Sequence, residues 1–389
     1  MIKTLHGITS DLIDPKNAAL ELLQEIGGTE KLLKNSIGYI TCHSTFLADN
    51  EYLSDLVKEL PFFVIGLVTP GESTKNTDSL TSLSLSVLTS DTANFGAYKT
   101  RPLSPGECYD EVGDSYTEAL KQFKGTPKLI LALCPLTENN NGDSYVRAFN
   151  KASGDVPVFG LLSYDGFGFS NDSPLFTFYN NEVSRLSICY ILIDDVDFNP
   201  KFYVGTVGNS FKFSQVHVIT DCEGPLVKSI DNEPFSSFYS KHLLNSSSGI
   251  EFILVLVKLE GTDRIYSRVM LSNNFKGTGY GLFGGELIKG AKFYISYLTK
   301  EIVIPSTTEI LTEAIKENPN ARNILAFSCA TRNSTLMFDV YQEFETVRDI
   351  LGDEYNYSVS LAGGELCPVL IKGKYVNIFH DNSFIICIF

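Results

Sequence analysis

Hydrophobic positions along the chain follow two patterns, one typical of helices and one typical of buried strands. Near the N-terminus, Asp14 and Pro15 form a helix-start signal, and apolar residues follow at helical spacing. A strand-like run at 37–42 comes next, then a second amphipathic helix near 53–60 and another apolar run at 62–67. The pattern predicts strands that alternate with helices, and therefore an α/β fold.

The same two patterns predict the later elements: a helix over 109–123, a strand over 128–133, mainly strands from 156 to 230, a short helix over 234–244, and strands near 252–259 and 291–298. Residues 83–87 alternate between apolar residues and serine, which predicts a strand with one solvent-exposed face. The Asn-Ser-Ser-Ser-Gly stretch at 245–249 is the best linker candidate. Residues 306–309 (Ser-Thr-Thr-Glu) predict a capping box that opens a helix.

Three segments, which we call the first, second and third unit, share one layout: 37–72, 128–166 and 323–365. Each begins with an apolar strand that ends in a cysteine, continues through an amphipathic helix, and closes with a second strand and a turn that combines glycine with an acid. The cysteines are Cys42, Cys134 and Cys329, and the turns are Gly71-Glu72, Asp165-Gly166 and Gly364-Glu365.

Two strands joined through a helix are normally parallel, with a right-handed crossover. The loop after each cysteine and the closing turn should therefore lie at the same edge of the sheet. Open α/β sheets bind ligands at that edge. The alternative is that the three units are ordinary α/β construction and that their glycines serve only tight turns.

Composition narrows the possible partners. A chain of 389 residues exceeds one comfortable core, so two domains are expected. The formal charge of −15, with no basic cluster, argues against nucleic acid as a partner. The first residues contain no apolar signal segment, and the apolar runs are too short to span a bilayer. We therefore expect a cytoplasmic protein without membrane insertion.

The cysteines and histidines give no sign of a metal or cofactor. Eight cysteines are scattered without a C-x-x-C pair, which favours reduced, partly buried thiols, and no metal-ligand spacing is present. The G-x-G-x-x-G match at 279–284 lacks a preceding strand and a following helix, so a turn is the better interpretation. No cofactor is expected.

Several segments, taken in order, resemble the FIST family. Residues 62–72 are similar to the "viGcsTaGE" segment of the FIST N domain, and the similarity continues through 158–166, 218–224 and 227–234. Residues 326–332 resemble the "FSCvgR" segment of the FIST C domain, residues 362–366 its "yGEi" turn, and 380–383 its terminal "HNqT". The chain differs from the usual residues of the family at 68–70, at 361–363 and at Asp381. These differences bear on which ligand the protein would bind.

The resemblance implies a FIST N-like domain over 1–232 and a FIST C-like domain over 233–389. It also implies a mixed α/β fold, in which repeated strand–helix–strand units lie on mixed sheets flanked by helices. The implied function is that of a cytosolic sensor that binds a small ligand such as an amino acid. No attached output module is visible, so the implied signal passes through a separate partner protein.

Candidate binding residues come from these motifs. Arg332 could clamp a ligand carboxylate, with a surface ion pair as the alternative. Glu72 and Glu365, which follow tight glycine turns, could hold an ammonium group or simply be solvated turn acids. The remaining candidates are Gly71, Asp165, Ser328, Cys329, Gly364 and His380. For His380 and the cysteines, a structural role is the leading alternative.

Two other functions remain open at this stage. An enzyme would need a nucleophile, a base and an orienting group within hydrogen-bond reach, and the sequence reveals none. A pure interaction scaffold would show a large exposed apolar patch and no enclosed polar pocket.

Overall fold

The computed structural model describes residues 1–47, 50–137, 140–166, 175–208, 211–213, 215–242, 252–258 and 265–389. The elements of the first part of the chain are β1 (Lys3–Thr9), α1 (Pro15–Glu25), β2 (Asn35–Cys42), α2 (Asn50–Glu59), β3 (Phe63–Val68), β4 (Glu72–Thr74), β5 (Asp78–Ser79) and β6 (Leu83–Ser90). They are followed by β7 (Asn94–Lys99), α3 (Tyr109–Gln122), β8 (Leu129–Cys134), α4 (Gly142–Ser153), β9 (Val158–Leu162), β10 (Thr177–Tyr179), β11 (Glu182–Ser184) and β12 (Cys189–Asp194).

The later elements begin with β13 (Lys201–Gly205), β14 (His217–Glu223), β15 (Leu226–Ile230), β16 (Glu233–Pro234), α5 (Phe235–His242), β17 (Phe252–Lys258), β18 (Ile265–Ser272), β19 (Gly281–Phe283) and β20 (Lys292–Leu298). They end with α6 (Lys300–Glu317), β21 (Asn323–Cys329), α7 (Ala330–Thr335), α8 (Gln342–Leu351), β22 (Asn356–Ala362), β23 (Glu365–Ile371), β24 (Lys374–His380) and β25 (Phe384–Ile388). The mixed α/β fold predicted from the sequence is confirmed.

Three six-stranded sheets share one strand order. Sheet A runs β1-β6-β2-β3-β10-β11, sheet B runs β7-β12-β8-β9-β23-β24, and sheet C runs β13-β25-β21-β22-β4-β5. In each sheet the third and fourth strands are the two strands of one unit, and they are parallel. The parallel pair predicted for each unit is therefore confirmed.

The last two strands of each sheet come from the hairpin that follows a different unit. Hairpin β4–β5, after the first unit, pairs with β22 of the third. Hairpin β10–β11, after the second, pairs with β3 of the first, and hairpin β23–β24, after the third, pairs with β9 of the second. This exchange is cyclic, so the three sheets form one body with approximate threefold symmetry, and each sheet is completed by a hairpin from another part of the chain.

The inner faces of the three sheets pack together in one apolar core, which includes Leu67 of sheet A, Leu131 of sheet B and Phe327 of sheet C. The outer faces are covered by helices: α1 and α2 on sheet A, α3 and α4 on sheet B, and α6 and α8 on sheet C. Each sheet is therefore buried on both faces, as strands in α/β proteins usually are.

Strands β14 to β20 form a separate antiparallel sheet, inserted between β13 and α6. Its order is β14-β20-β17-β18-β19-β15-β16, and β14 also pairs with β15, which closes the sheet into a barrel. Phe235 and Phe238 of α5 lie in the barrel core. Leu254 and Val269, on the outside, pack against Val303 of α6 and thereby attach the barrel to the body.

The serine face of the strand at 83–87 is not solvent-exposed, so that expectation was wrong. Ser84 and Ser86 are each only 2% exposed. They face inward, where sheet A meets polar residues of sheet C, and the Ser86 hydroxyl donates to Ser358 Oγ at 3.1 Å. Alternating apolar and polar residues show that the two faces of a strand differ. They do not show whether the polar face contacts solvent or the polar residues of another sheet.

The helix expected to begin at residues 306–309 begins earlier, at Lys300, with Thr299 as its N-cap. The hydroxyls of Ser306 and Thr307 instead donate to the Val303 carbonyl inside the helix. The additional turn is stabilised because Val303 and its neighbours are buried against the barrel. This burial outweighs the backbone hydrogen bond that Pro305 removes.

The domain organisation stays a prediction. The expected boundary between residues 232 and 233 falls in the barrel, between β15 and β16, and sheets B and C each combine strands from both sides of it. The linker proposed at 245–249 lies outside the described residues.

Candidate functional site

The carboxyl ends of the parallel strands in the three units meet at one end of the body. Backbone hydrogen bonds join their closing turns: Tyr164 N to Val68 O at 3.0 Å, Leu361 N to Gly71 O at 2.8 Å, and Gly363 N to Leu162 O at 2.9 Å. The convergence predicted from the three units is therefore present. It results from the strand exchange, which threads each turn into the sheet of another unit.

The strand-ending cysteines do not face the same way. Cys42 and Cys134 point outward, into the helix-side cores of sheets A and B. Cys329 shares a face with Phe327, two residues before it, and that face belongs to the inner core. The residue of the third unit that points outward, as Cys42 and Cys134 do, is Ser328. The cysteine of the third unit therefore comes one residue later along the strand, and its thiol points toward the inner core.

Glu365 lies at the inner end of the third unit and has no exposed surface. Its Oε2 accepts a hydrogen bond from Ser383 N at 3.3 Å, whereas Oε1 has no partner in the described part of the chain. Burial raises the pKa of Glu365 well above its usual range, and the charge of Asp381 raises it further. The hydrogen bond from Ser383, the charge of Arg332 and the contact with the Cys329 thiol oppose this rise. Burial therefore favours the neutral, protonated form of this carboxyl.

Asp381 and Cys329 lie beside Glu365. Asp381 Oδ1 is 3.9 Å from the Cys329 sulfur, and Oδ2 accepts a hydrogen bond from Val269 N of the barrel at 2.8 Å. Burial raises the pKa of Asp381 to about 6. Burial, together with the charges of Glu365 and Asp381, also raises the pKa of the Cys329 thiol well above its usual range. The sulfur is therefore a protonated thiol and not a nucleophilic thiolate at neutral pH.

His380 and Asn382 complete this group. His380 Nε2 donates to the Cys367 carbonyl at 3.1 Å, which leaves Nδ1 as an acceptor, and burial lowers the pKa of His380 to about 3. Asn382 Oδ1 accepts a hydrogen bond from the Thr331 hydroxyl at 3.2 Å. Neither His380 Nδ1 nor Asn382 Nδ2 has a partner among the residues described. We call Cys329, Glu365, His380, Asp381 and Asn382 the inner polar group.

Arg332 lies on the helix side of sheet C and is completely buried. Its Nε and Nη2 contact Glu343 Oε1 at 3.1 and 2.8 Å, and Nη2 also donates to Thr307 Oγ1 at 2.7 Å. Ser328 donates to the other Glu343 oxygen at 2.6 Å. Arg332 therefore binds a carboxylate of its own chain and ties α6, α7 and α8 together. Only its Nη1 has no partner within the described ranges.

Glu72 is also buried, but its carboxylate is well satisfied. One oxygen accepts a hydrogen bond from the Thr69 hydroxyl, and the other accepts from Ser82 at 3.0 Å. Burial raises the pKa of Glu72 to about 8, against the opposing effect of hydrogen bonds from Thr69, Ser82 and Thr41. This environment suits a structural acid better than one that awaits a ligand.

The other candidates occupy the turns. Asp165 is 2% exposed and lies near His43, whose pKa it raises, although burial has the larger effect and lowers that pKa. Gly364 has a φ of 138°, and a Cβ there would come within 2.6 Å of the Phe379 ring, so glycine is required. The structure thus brings Cys329, Glu365 and His380 together with Gly364, groups Ser328 with Arg332, and leaves Glu72, Gly71 and Asp165 in the turns of the other two units.

Several contributing residues were missed in the sequence. Asp381 and Asn382 lie within a motif segment but carried no assigned role, and nothing in the sequence marks Glu343 as the partner of Arg332. Arg268, on the barrel, is 2% exposed and forms an ion pair with Asp143 of α4 at 2.8 Å. These two residues are 125 positions apart. Local sequence patterns carry no information on a pairing across that distance.

Fold and site together define a repeated α/β protein with a buried polar group at the carboxyl ends of its parallel strands. The family model of the FIST N domain matches residues 37–233, just over half of the chain. The chain therefore belongs to the FIST family, whose domains act as sensors in signal transduction. The matched segment covers the first and second units and ends within the barrel. A comparison with curated proteins returned no match.

Two further findings bear on the site. Across the part of the chain that is described, no helix is both long and apolar enough to cross a membrane. Over the same residues, no set of three or more His, Cys, Asp and Glu side chains is placed to hold a metal ion. All eight cysteines are free.

Proposed function

We propose that this protein senses a small amino-acid-like ligand, which binds at the inner polar group. One observation carries the proposal: Glu365 Oε1, His380 Nδ1 and Asn382 Nδ2 all lack a hydrogen-bond partner in the described part of the chain. Each belongs to a side chain that is at most 1% exposed. An unsatisfied buried polar group costs about 1–3 kcal/mol, so a bound molecule that supplied the missing partners would stabilise the protein.

The chemistry of these atoms favours a ligand with both an ammonium and a carboxylate. Glu365 can accept an ammonium group, and His380 Nδ1 can accept a second N–H from it. The Asn382 amide can donate to a carboxylate oxygen. Arg332 acts on Glu365 through its charge, and its Nη1, which has no partner among the described residues, stays a candidate for the ligand carboxylate.

The remaining parts of the proposal concern the cellular role. We place the protein in the cytoplasm and its output on a separate partner protein, in keeping with a sensor family and with the acidic composition. We also keep the division into a FIST N-like domain, residues 1–232, and a FIST C-like domain, residues 233–389.

A thermal-shift screen with free amino acids and related metabolites tests the proposal. A ligand at a hundredfold excess over its Kd should stabilise the protein by about 2.7 kcal/mol. The shift should be lost in Glu365→Gln, which keeps the side-chain shape, and retained in Glu354→Gln, which alters an exposed acid of the same unit. A screen with no shift for any amino acid, or a shift that Glu365→Gln leaves unchanged, would contradict the proposal.

A further inference from the structure

We propose that the inner polar group binds the ammonium group of its ligand in exchange for a proton, so that ligand binding releases a proton to solvent. The inference rests on the function proposed above and specifies its linkage to pH. Its basis is that both arginines near Glu365 are already paired with other carboxylates.

Several elements bring charged or titratable groups to this site. Cys329 of β21, Arg332 of α7 and Asp381 after β24 act on Glu365, and Cys367 of β23 and Tyr164 of the second turn lie close by. Arg268 of β18 and Asp143 of α4 act on Asp381, and His380 of β24 binds the Cys367 carbonyl. Each arginine already has its own carboxylate. Arg268 pairs with Asp143 at 2.8 Å, and Arg332 pairs with Glu343 at 2.8 Å. Glu365 and Asp381 are thus left without a cation of their own among the described side chains.

Two unpaired carboxylates side by side in a buried site would be very unfavourable. The neighbours compensate only in part. The charges of Arg332 and Arg268 act on Glu365 and Asp381, but each arginine is paired with another carboxylate. His380 is neutral, and the Cys329 thiol carries no positive charge. The pair should therefore retain a proton when the site holds no cation, as closely spaced acids do. The raised pKa values of Glu365 and Asp381 agree with this.

An ammonium group is the chemical class that can replace this proton. It carries one positive charge and three N–H donors, and Glu365 Oε1 and His380 Nδ1 are two buried acceptors without partners in the described structure. The balance is simple: the ammonium keeps its three protons, the carboxyl pair loses one to the buffer, and the net charge of the site is unchanged. A ligand without a cationic group would not displace the proton.

The first experiment needs no ligand. Infrared spectra at pH 7 are recorded in a Glu72→Gln background, because the Glu72 carboxyl, with a pKa of about 8, would add a band of its own. In this background we expect a protonated-carboxyl band that is absent from Glu365→Gln and altered in Asp381→Asn. The control Glu354→Gln changes an exposed acid and should keep the band. A spectrum of this background without any band that responds to either buried-site variant would overturn the inference.

The second experiment measures proton release. Calorimetric titrations with methylammonium chloride, and with the amino acid that gives the largest thermal shift, are run in two buffers of different ionisation enthalpy. We expect about one proton released per amine bound, with loss of the infrared band. An amino acid that binds without proton release would overturn this inference and leave the proposed function standing. Absence of binding by every amino acid would contradict both.

Discussion

Glu72 and Glu365 occupy equivalent positions in the strand exchange but differ in their hydrogen bonding. Each is the first residue of a hairpin that pairs with another unit, and Thr177 opens the remaining hairpin. Both oxygens of Glu72 accept hydrogen bonds from hydroxyls, of Thr69 and Ser82, whereas Glu365 Oε1 has no partner among the described residues. The backbone is repeated, but of these two turn glutamates, Glu365 is the one with a carboxyl oxygen that lacks a hydrogen-bond partner in the described part of the chain.

Replacing Glu72 should change how stability depends on pH. Its folded-state pKa is raised from about 4.5 to about 8, so the stability present below pH 4.5 is lost as the pH rises through 8. Glu72→Gln removes this loss and should be more stable than wild type at pH 9, by on the order of 3 kcal/mol. Urea denaturation at pH 5, 7 and 9 measures this, with exposed Glu59→Gln as the control. Parallel stability curves for Glu72→Gln and wild type would contradict the prediction.

Removing Arg332 should destabilise the protein strongly. Glu343, which is 1% exposed, would keep a buried charge without its partner, and the loss should be about 3–5 kcal/mol. The double variant Arg332→Met with Glu343→Leu has neither charge, so it should recover much of the stability that a single Arg332 variant loses. Chemical denaturation of the single and double variants tests this. A loss below about 1 kcal/mol for Arg332→Ala would mean that the pair does not hold the three helices together.

The strand exchange predicts that Phe178 contributes far more to stability than its place in a short hairpin suggests. Phe178 is fully buried, and its ring lies over Gly66 of β3, where an added Cβ would collide with it. Phe178→Ala should cost about 3–5 kcal/mol. Phe63→Ala, at a site that is 36% exposed in the same sheet, should cost much less. Equal losses for the two variants in urea denaturation would contradict the exchanged arrangement.

Attachment of the barrel should depend on close contact at Gly285. A Cβ at this position would meet Arg268 and come within 2.8 Å of Asp143 Oδ2, so Gly285→Ala should disturb their ion pair. The Val269 amide, which donates to Asp381, should then exchange with solvent about 10–100-fold faster. Gly113→Ala, where a Cβ meets nothing within 4 Å, is the matched control. Unchanged protection of Val269 would show that the barrel does not depend on this pair.

Much of the local fold could be predicted from the sequence. The strand–helix–strand units, their parallel pairing and the meeting of their turns follow from hydrophobic spacing and crossover geometry. The exchange of hairpins could not be predicted, because Thr74 pairs with Ser358 across most of the chain and no local sequence pattern marks that pairing. The serine face of β6 resembled an exposed face because the polar residues that cover it, such as Ser358, come from a distant part of the chain.

The candidate site was only partly predictable. Motif position identified Glu365, Cys329 and His380, which the structure brings together. The Cys329 side chain points inward because this cysteine comes one residue later in its strand than Cys42 and Cys134 do in theirs. This difference is visible only when the buried faces of the strands are compared. The partner of Arg332 could not be predicted, because an arginine beside a strand end is equally suited to a ligand carboxylate and to a buried glutamate such as Glu343.

The central claim is that the inner polar group of the third unit binds the ligand, and paired titrations test it most directly. The amino acid that gives the largest thermal shift is titrated calorimetrically into wild type, Glu365→Gln and Glu72→Gln. We predict that Glu365→Gln loses binding by a hundredfold or more, about 2.8 kcal/mol, while Glu72→Gln retains the wild-type Kd. Equal affinity in Glu365→Gln and wild type, or a loss confined to Glu72→Gln, would contradict the account.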